Sequence, residues 1–202
     1  MRKFQELRGI AAPFYLSNVN TDVIIPKKHM TGVTRIGLGK FLFEEARYLD
    51  DQGTCNPDCY LNHDGYQSAS ILIAGDNFGC GSSREHAVWA LDDFGFRCII
   101  APSFSDIFFN NCIKNGLLPV VLDSNTVRHF ATIAEQAPLF FSVSLKDLTV
   151  TDPHGTCYTF NILTSYRECL LEGYDEISVT MKYKDIINTF VEENKSSRPW
   201  LF

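Results

Sequence analysis

The sequence predicts an α/β fold with a parallel strand–helix core and an additional antiparallel layer. Three observations predict it. Apolar runs at 70–74, 97–101 and 117–122 are continuous rather than alternating, as in strands covered on both faces. Helical spacing fills the gaps between them, at 84–94 and 103–115, and the order strand–helix–strand–helix–strand closes right-handed and parallel. After Phe140 the pattern changes to alternation, over 140–150 and 157–163, with Asp152-Pro153-His154-Gly155 as the turn between half-exposed strands.

The remaining elements follow in order. Residues 4–15 have strand character, interrupted at Pro13, and 19–26 carries Asn20-Thr21-Asp22 ahead of the apolar run Val23-Ile24-Ile25. Residues 27–39, rich in Gly, Thr and basic side chains, read as a mobile loop. Residues 38–49 read as a helix with Phe41, Leu42, Ala46 and Leu49 on one side, and 50–65 as a turn-rich connection. The helix at 84–94 turns Ala87, Val88, Leu91 and Phe94 to the core, and the one at 103–115 stops at Asn115-Gly116. A helix at 125–136 is closed by Pro138, a short one at 164–171 ends at Gly173, and 174–193 becomes helical toward Phe190. Without repeats, low-complexity tracts or a clear linker, residues 1–202 read as one domain.

Composition narrows the function. Hydrophobic content of 45% and charged content of 21% are ordinary for a globular protein, and a formal net charge of −6 without a Lys/Arg cluster argues against nucleic acid. No apolar run approaches a membrane span and no targeting segment is evident, so the expectation is a cytoplasmic protein. The seven cysteines are odd in number and scattered, which reads as reduced thiols. Cys98, in a strand, and Cys112, in a helix, read as buried small hydrophobes. Cys55 and Cys59 have the wrong spacing for a zinc ribbon or a Cys-x-x-Cys pair, so no metal is expected on this chain.

The chemistry concentrates in Asn77-Phe78-Gly79-Cys80-Gly81-Ser82-Ser83-Arg84-Glu85-His86-Ala87, between a strand and a helix. First-turn amides of a helix point outward unpaired at the positive end of the macrodipole, which favours anions. Arg84 adds a guanidinium fork that fits a carboxylate, so the stretch suits a small acidic ligand. Ser82-x-x-Glu85 is also a capping box, and the two readings are compatible, with one serine capping and the other facing ligand. A nucleophilic Cys80 with His86 as base lacks a third group to orient the histidine. The glycine pattern lacks the later glycine of a dinucleotide fingerprint and the Gly-Lys-Ser/Thr ending of a triphosphate loop.

With those residues in view, the chain resembles the swivel domain of the aconitase family, in its 3-isopropylmalate dehydratase (isopropylmalate isomerase) small-subunit branch. The resemblance rests on Asn18-x-Asn20-Thr21-Asp22-x-Ile24-Ile25-Pro26, the 77–87 turn, Ala101-Pro102-Ser103-Phe104-Ser105-Asp106-Ile107-Phe108 and Asn115-Gly116-Leu117-Leu118-Pro119-Val120, in family order over nearly the whole chain. Asn20 departs from it, standing where the family pattern usually has aspartate. The resemblance implies a swivelling β/β/α fold and a hydro-lyase of leucine biosynthesis that isomerises 2-isopropylmalate and 3-isopropylmalate through 2-isopropylmaleate. It implies Ser82 as the catalytic base, Ser83 and Arg84 as ligands of a substrate carboxylate, and the loop after Pro26 as the reader of the substrate's side group. There Met30 and Val33 would pack an isopropyl group, although Met30 reads equally as core and Arg35 lies nearby. The resemblance also implies a 4Fe–4S cluster as Lewis acid. With no convincing set of cluster thiolates here, the cluster is expected on a large-subunit partner, leaving none bound by this chain. The alternatives are a small subunit of a related hydro-lyase for another malate derivative and a non-catalytic anion-binding module.

Overall fold

A computed structural model describes residues 1–30, 34–50, 52–81 and 84–201, with nothing said of the Glu176 side chain. In chain order the elements are β1 (Glu6–Phe14), α1 (Thr21–Ile24), α2 (Glu44–Arg47), β2 (Ile71–Ala74), α3 (His86–Phe94), β3 (Cys98–Ala101), α4 (Asp106–Asn115), β4 (Leu118–Val121), α5 (Ser124–Gln136), β5 (Phe140–Ser144), β6 (Thr149–Thr151), β7 (Cys157–Thr159), α6 (Thr164–Glu172), α7 (Glu176–Met181) and α8 (Lys184–Ser197). The strands form one mixed sheet in the order β4-β3-β2-β1-β5-β6-β7.

β1 joins the two halves. Its last residues pair parallel with β2, from Ala11 opposite Ile71 to Phe14 opposite Ala74. Its first residues pair antiparallel with β5, from Glu6 opposite Ser144 to Ile10 opposite Phe140. Pro13, expected to interrupt this strand, lies inside it. The Ala11 amide donates to Leu139 on the β5 side, and two residues on Pro13 faces that same side, past the end of β5, where no ladder donor is needed.

Side chains alternate across the sheet, and both faces are covered. Leu72, Ala74, Ile99 and Ala101 face a core closed by Ala87, Val88 and Leu91 of α3 and Phe108 and Cys112 of α4. Ile71, Ile73, Cys98, Ile100 and Val120 face the opposite core, closed by Val127, Phe130, Ala131 and Ala134 of α5. Double coverage is why β2 and β3 are uninterrupted apolar runs. Burial pushes the Cys98 and Cys112 thiols up, which keeps them protonated core residues.

Two expectations are corrected. Residues 38–49 do not form one helix: a 3-10 turn at Gly39–Phe41 is followed by Phe43 in the left-handed region (φ +50°) and only then by α2. Phe43 is fully buried and stacks on Phe14 at 3.9 Å, and its amide donates to the Ile24 carbonyl. Burying such a ring contributes about 2–3 kcal/mol, more than the turn's local strain costs. Likewise 140–150 is not one strand. β5 and β6 are separated by a turn that places Leu148 at φ +57° and returns β6 antiparallel onto β5.

The loop expected to be mobile at 27–39 is tied down on both sides of its middle. Lys28 and His29 both reach Glu44, at 2.9 and 3.0 Å, and His29 stacks on Phe41 at 3.5 Å. Burial opposes ionisation of Glu44, but the hydrogen bonds and charges of Lys28 and His29 outweigh it and hold the carboxyl below its usual range. Farther on, the amides of Gly37 and Gly39 donate to Asp93 at 2.9 and 2.7 Å.

Helix caps give a pH prediction. Asp123 caps α5 and Asp175 caps α7, and both carboxyls are held below the usual value by side-chain and then backbone hydrogen bonds, from Thr126 and Ser178 respectively. A depressed carboxyl contributes stability above its unfolded value that is lost as pH falls through its folded value. Thermal melts are therefore expected to show stability falling as pH drops below about 4, and Asp123→Asn, which keeps an acceptor without the titration, should flatten part of that dependence.

Candidate functional site

The strand–turn–helix signature stands at the carboxyl end of β2, beside the carboxyl ends of β1 and β3, where open α/β sheets place their ligands. Three separate connections are stitched together there. The Phe78 amide donates to the Ser103 carbonyl at 3.1 Å, and the Ser105 amide returns to Phe78 at 3.1 Å. On the other side the Gly79 amide donates to Val19 at 2.8 Å, and the Thr21 amide donates to Cys80 at 3.0 Å. Side chains reinforce these bonds: Ser103 Oγ accepts from the Asn77 amide, Ser105 Oγ donates to the Gly79 carbonyl at 2.7 Å, and Asn77 Nδ2 donates to Asn18 Oδ1 at 2.9 Å.

Glycine is required where the turn meets its neighbours. Gly79 has φ +76°, and a Cβ there would stand 2.1 Å from the Phe108 ring. Gly81, at φ +97°, has only Asn20 Cβ nearby, at 3.5 Å. Asn20 itself caps α1 by accepting from the Val23 amide at 2.9 Å, worth about 1 kcal/mol. The missing charge at this position therefore leaves the cap in place. Asp22, in the first turn of α1, lies 3.6 Å from Lys27.

Arg84 is exposed just ahead of α3, where a ligand or a second chain can reach it. Ser82, Ser83 and Val33 lie outside the described residues. Met30 is in the core at 9% exposure, which fits the packing reading of that methionine. Cys80 Sγ donates to the Asn18 carbonyl at 3.5 Å, so the thiol serves the turn. His86 packs on Trp89, with ring centroids 4.7 Å apart. The helix begins at His86, slightly later than its spacing implies, with Glu85 at the N-cap and no side-chain cap bond.

Sequence reasoning missed a second-layer network behind Arg84. Glu85 accepts from Asn115 Nδ2 at 3.2 Å, and Asn115 Oδ1 accepts from the Trp89 indole at 3.1 Å. The Arg35 guanidinium lies 5.0 Å from the Trp89 ring centroid, so a second cation is brought to the first turns of α3. Asn115 had shown only its helix-stop signal, and nothing local announces the Arg35–Trp89 pairing. A cleft of about 840 Å³ opens instead on the 28–53 segment, lined by Lys28, Lys40, Phe41, Glu44 and Tyr48 among others.

The class follows from matches to known proteins. A model of the aconitase C-terminal domain matches residues 1–125, a span that holds β1–β4 and all three stitched connections. The 3-isopropylmalate dehydratase small subunit of Marinobacter nauticus is 50% identical over 100% of this chain and 98% of its own length. That of Agrobacterium fabrum is 49% identical over 99% of this chain and 100% of its own. A crystal structure of a 3-isopropylmalate dehydratase from Methanocaldococcus jannaschii shares the fold, with TM-score 0.67 at 23% identity over 91% of this chain and 98% of that one. The chain belongs to the 3-isopropylmalate dehydratase small subunits of the aconitase family.

The two glycines give a paired prediction. Gly79→Ala combines a left-handed φ with a clash against Phe108 and is expected to cost about 2–4 kcal/mol. Gly81→Ala meets only the φ penalty, about 1–2 kcal/mol. Urea unfolding midpoints of the two variants should rank in that order.

Proposed function

We propose that this chain is the small subunit of a dehydratase that interconverts 2-isopropylmalate and 3-isopropylmalate by removing and re-adding water, in leucine biosynthesis. The observation that carries this reading is identity of about one half with such subunits over the whole length of both chains. As a hydro-lyase subunit it acts with a large subunit, and the whole chain serves as one swivel domain against that partner. No helix among the described residues is long and apolar enough to cross a membrane, which is compatible with the cytoplasmic setting we propose.

The donor set does not fit a four-iron cluster on this chain. Cys98 and Cys112 are buried and held protonated, while Cys55, Cys59, Cys80, Cys157 and Cys169 lie on separate elements. Among the described residues no three metal-binding side chains come together. We assign the 4Fe–4S cluster to the large subunit, and no step derived for this chain runs through it.

This chain's own part is to hold the diacid and move a proton. Arg84, exposed ahead of α3, takes a substrate carboxylate as an ion pair, and Ser83 adds a hydrogen bond to it. Ser82 takes the proton next to a carboxylate. A serine hydroxyl is a weak acid, so it needs the positive field of the α3 N-terminus, backbone amides and Arg84 to act as alkoxide. Val33 and Met30, in the loop after Pro26, set the shape offered to the isopropyl group, with Met30 shaping it from the core side. The Arg35 guanidinium over Trp89 favours one second reading, a related hydro-lyase whose substrate carries a further carboxylate.

Both are tested with the reconstituted two-chain enzyme. Ser82→Ala is expected to lose at least about 100-fold in kcat while still assembling with the large subunit, and near-normal turnover would remove Ser82 from the role of base. Relative kcat/KM for isopropylmalate, citramalate and homoaconitate separates the substrate readings. Preference for homoaconitate would favour the second.

A further inference from the structure

The last part of the chain presents an apolar face that the fold itself does not use. In α7, Ile177 and Met181 are 73% and 50% exposed. In α8, Ile186 and Phe190 are 68% and 65% exposed, one turn apart on the same side, and no residue of that helix is buried. Trp200 and Leu201 continue the series at 75% and 61%. The α8 sequence alternates this stripe with Lys184, Asp185, Asn188, Glu192 and Lys195, so the helix is amphipathic without a core to face. Six such side chains offer on the order of 600 Å² of apolar surface, most of the roughly 800 Å² that each partner brings to a standard interface. Isolated chains rarely leave patches of that size open.

We propose that α7, α8 and the 3-10 turn Pro199–Leu201 form an arm that docks on the large subunit through the Ile186–Phe190 face. The occupant follows from where the family boundaries fall. The domain shared across the aconitase family is described as a C-terminal domain, a part of a longer chain, and its match here stops at residue 125. The arm lies beyond that boundary but inside the stretch aligned with whole small subunits. A domain joined covalently to its partner domain needs no arm. A separate subunit must hold its partner by contact, and an added anchor raises the effective concentration of one half-site beside the other.

The arm's point of departure suits an anchor. Gly173, at the end of α6, receives the hydrogen bond of the Met1 ammonium and lies at the end of the sheet where β1 begins. Arg84 and the stitched turn lie at the opposite end, where the parallel strands finish. Gripping the partner through the arm leaves the substrate face able to open and close while the two chains stay together. This proposal rests on the small-subunit reading given above.

The test uses the full chain and its separately purified large subunit. Ile186→Gln with Phe190→Gln touches no buried residue, so the thermal midpoint of the free small subunit should be unchanged. Its Kd for the large subunit, by titration calorimetry, is expected to rise at least tenfold. Turnover of 2-isopropylmalate should recover to near the wild-type kcat when the large subunit is in excess. An unchanged Kd overturns the proposal. So does a wild-type small subunit that dimerises alone through this face, with the variant monomeric and its Kd for the large subunit unaltered. A wild-type pair that binds tightly without turning over 2-isopropylmalate would overturn the dehydratase reading, while a raised Kd in the variant would still uphold the arm.

Discussion

The structure depends on the contact between the Gly79 backbone and the Phe108 ring. No side chain fits between them, and with the ring in place the turn before α3 is pressed onto the start of α4. Hydrogen bonds to Val19, Ser103 and Ser105 then become possible, and the loops following β1, β2 and β3 share one surface. Arg84 is aimed from that surface. A side chain at position 79 would disturb the packing and the ligand seat together, because the same atoms serve both.

Charge around this surface is arranged to hold position. Glu44 collects Lys28 and His29 at one side of the loop after Pro26, and Asp93 collects two amides at the other. Both carboxylates come from elements outside that loop, and Trp89 adds a shelf for Arg35. The loop that is to read the substrate's side group thus has fixed supports on either side of its middle. Pair energies between such partly exposed charges are small, so their value is geometric.

The parallel half was legible in the sequence because strands covered on both faces need unbroken apolar runs, and β2, β3 and β4 have them. The 77–87 turn was legible because glycines, hydroxyls and an arginine seldom coincide before a helix for one structural reason alone. The 27–65 region was not, because its shape is decided by partners far along the chain. Phe43 leaves the helical region to reach Phe14, and Gly37 and Gly39 turn toward Asp93. The walls of the turn were hidden in the same way: Asn18 and Ser103 look like ordinary loop residues until the sheet brings each to Asn77. The break at Leu148 escaped notice because an alternating pattern continues through a tight reversal without a change of period.

The shared floor under the turn has a consequence for how the protein comes apart. Its three segments converge only while β1, β2 and β3 stand side by side, so no single loop can peel away and leave the other two in register. A small molecule resting there would slow global opening rather than local fraying. Amides of β2 and β3, rather than those nearest the ligand, would then report its presence most clearly in hydrogen exchange.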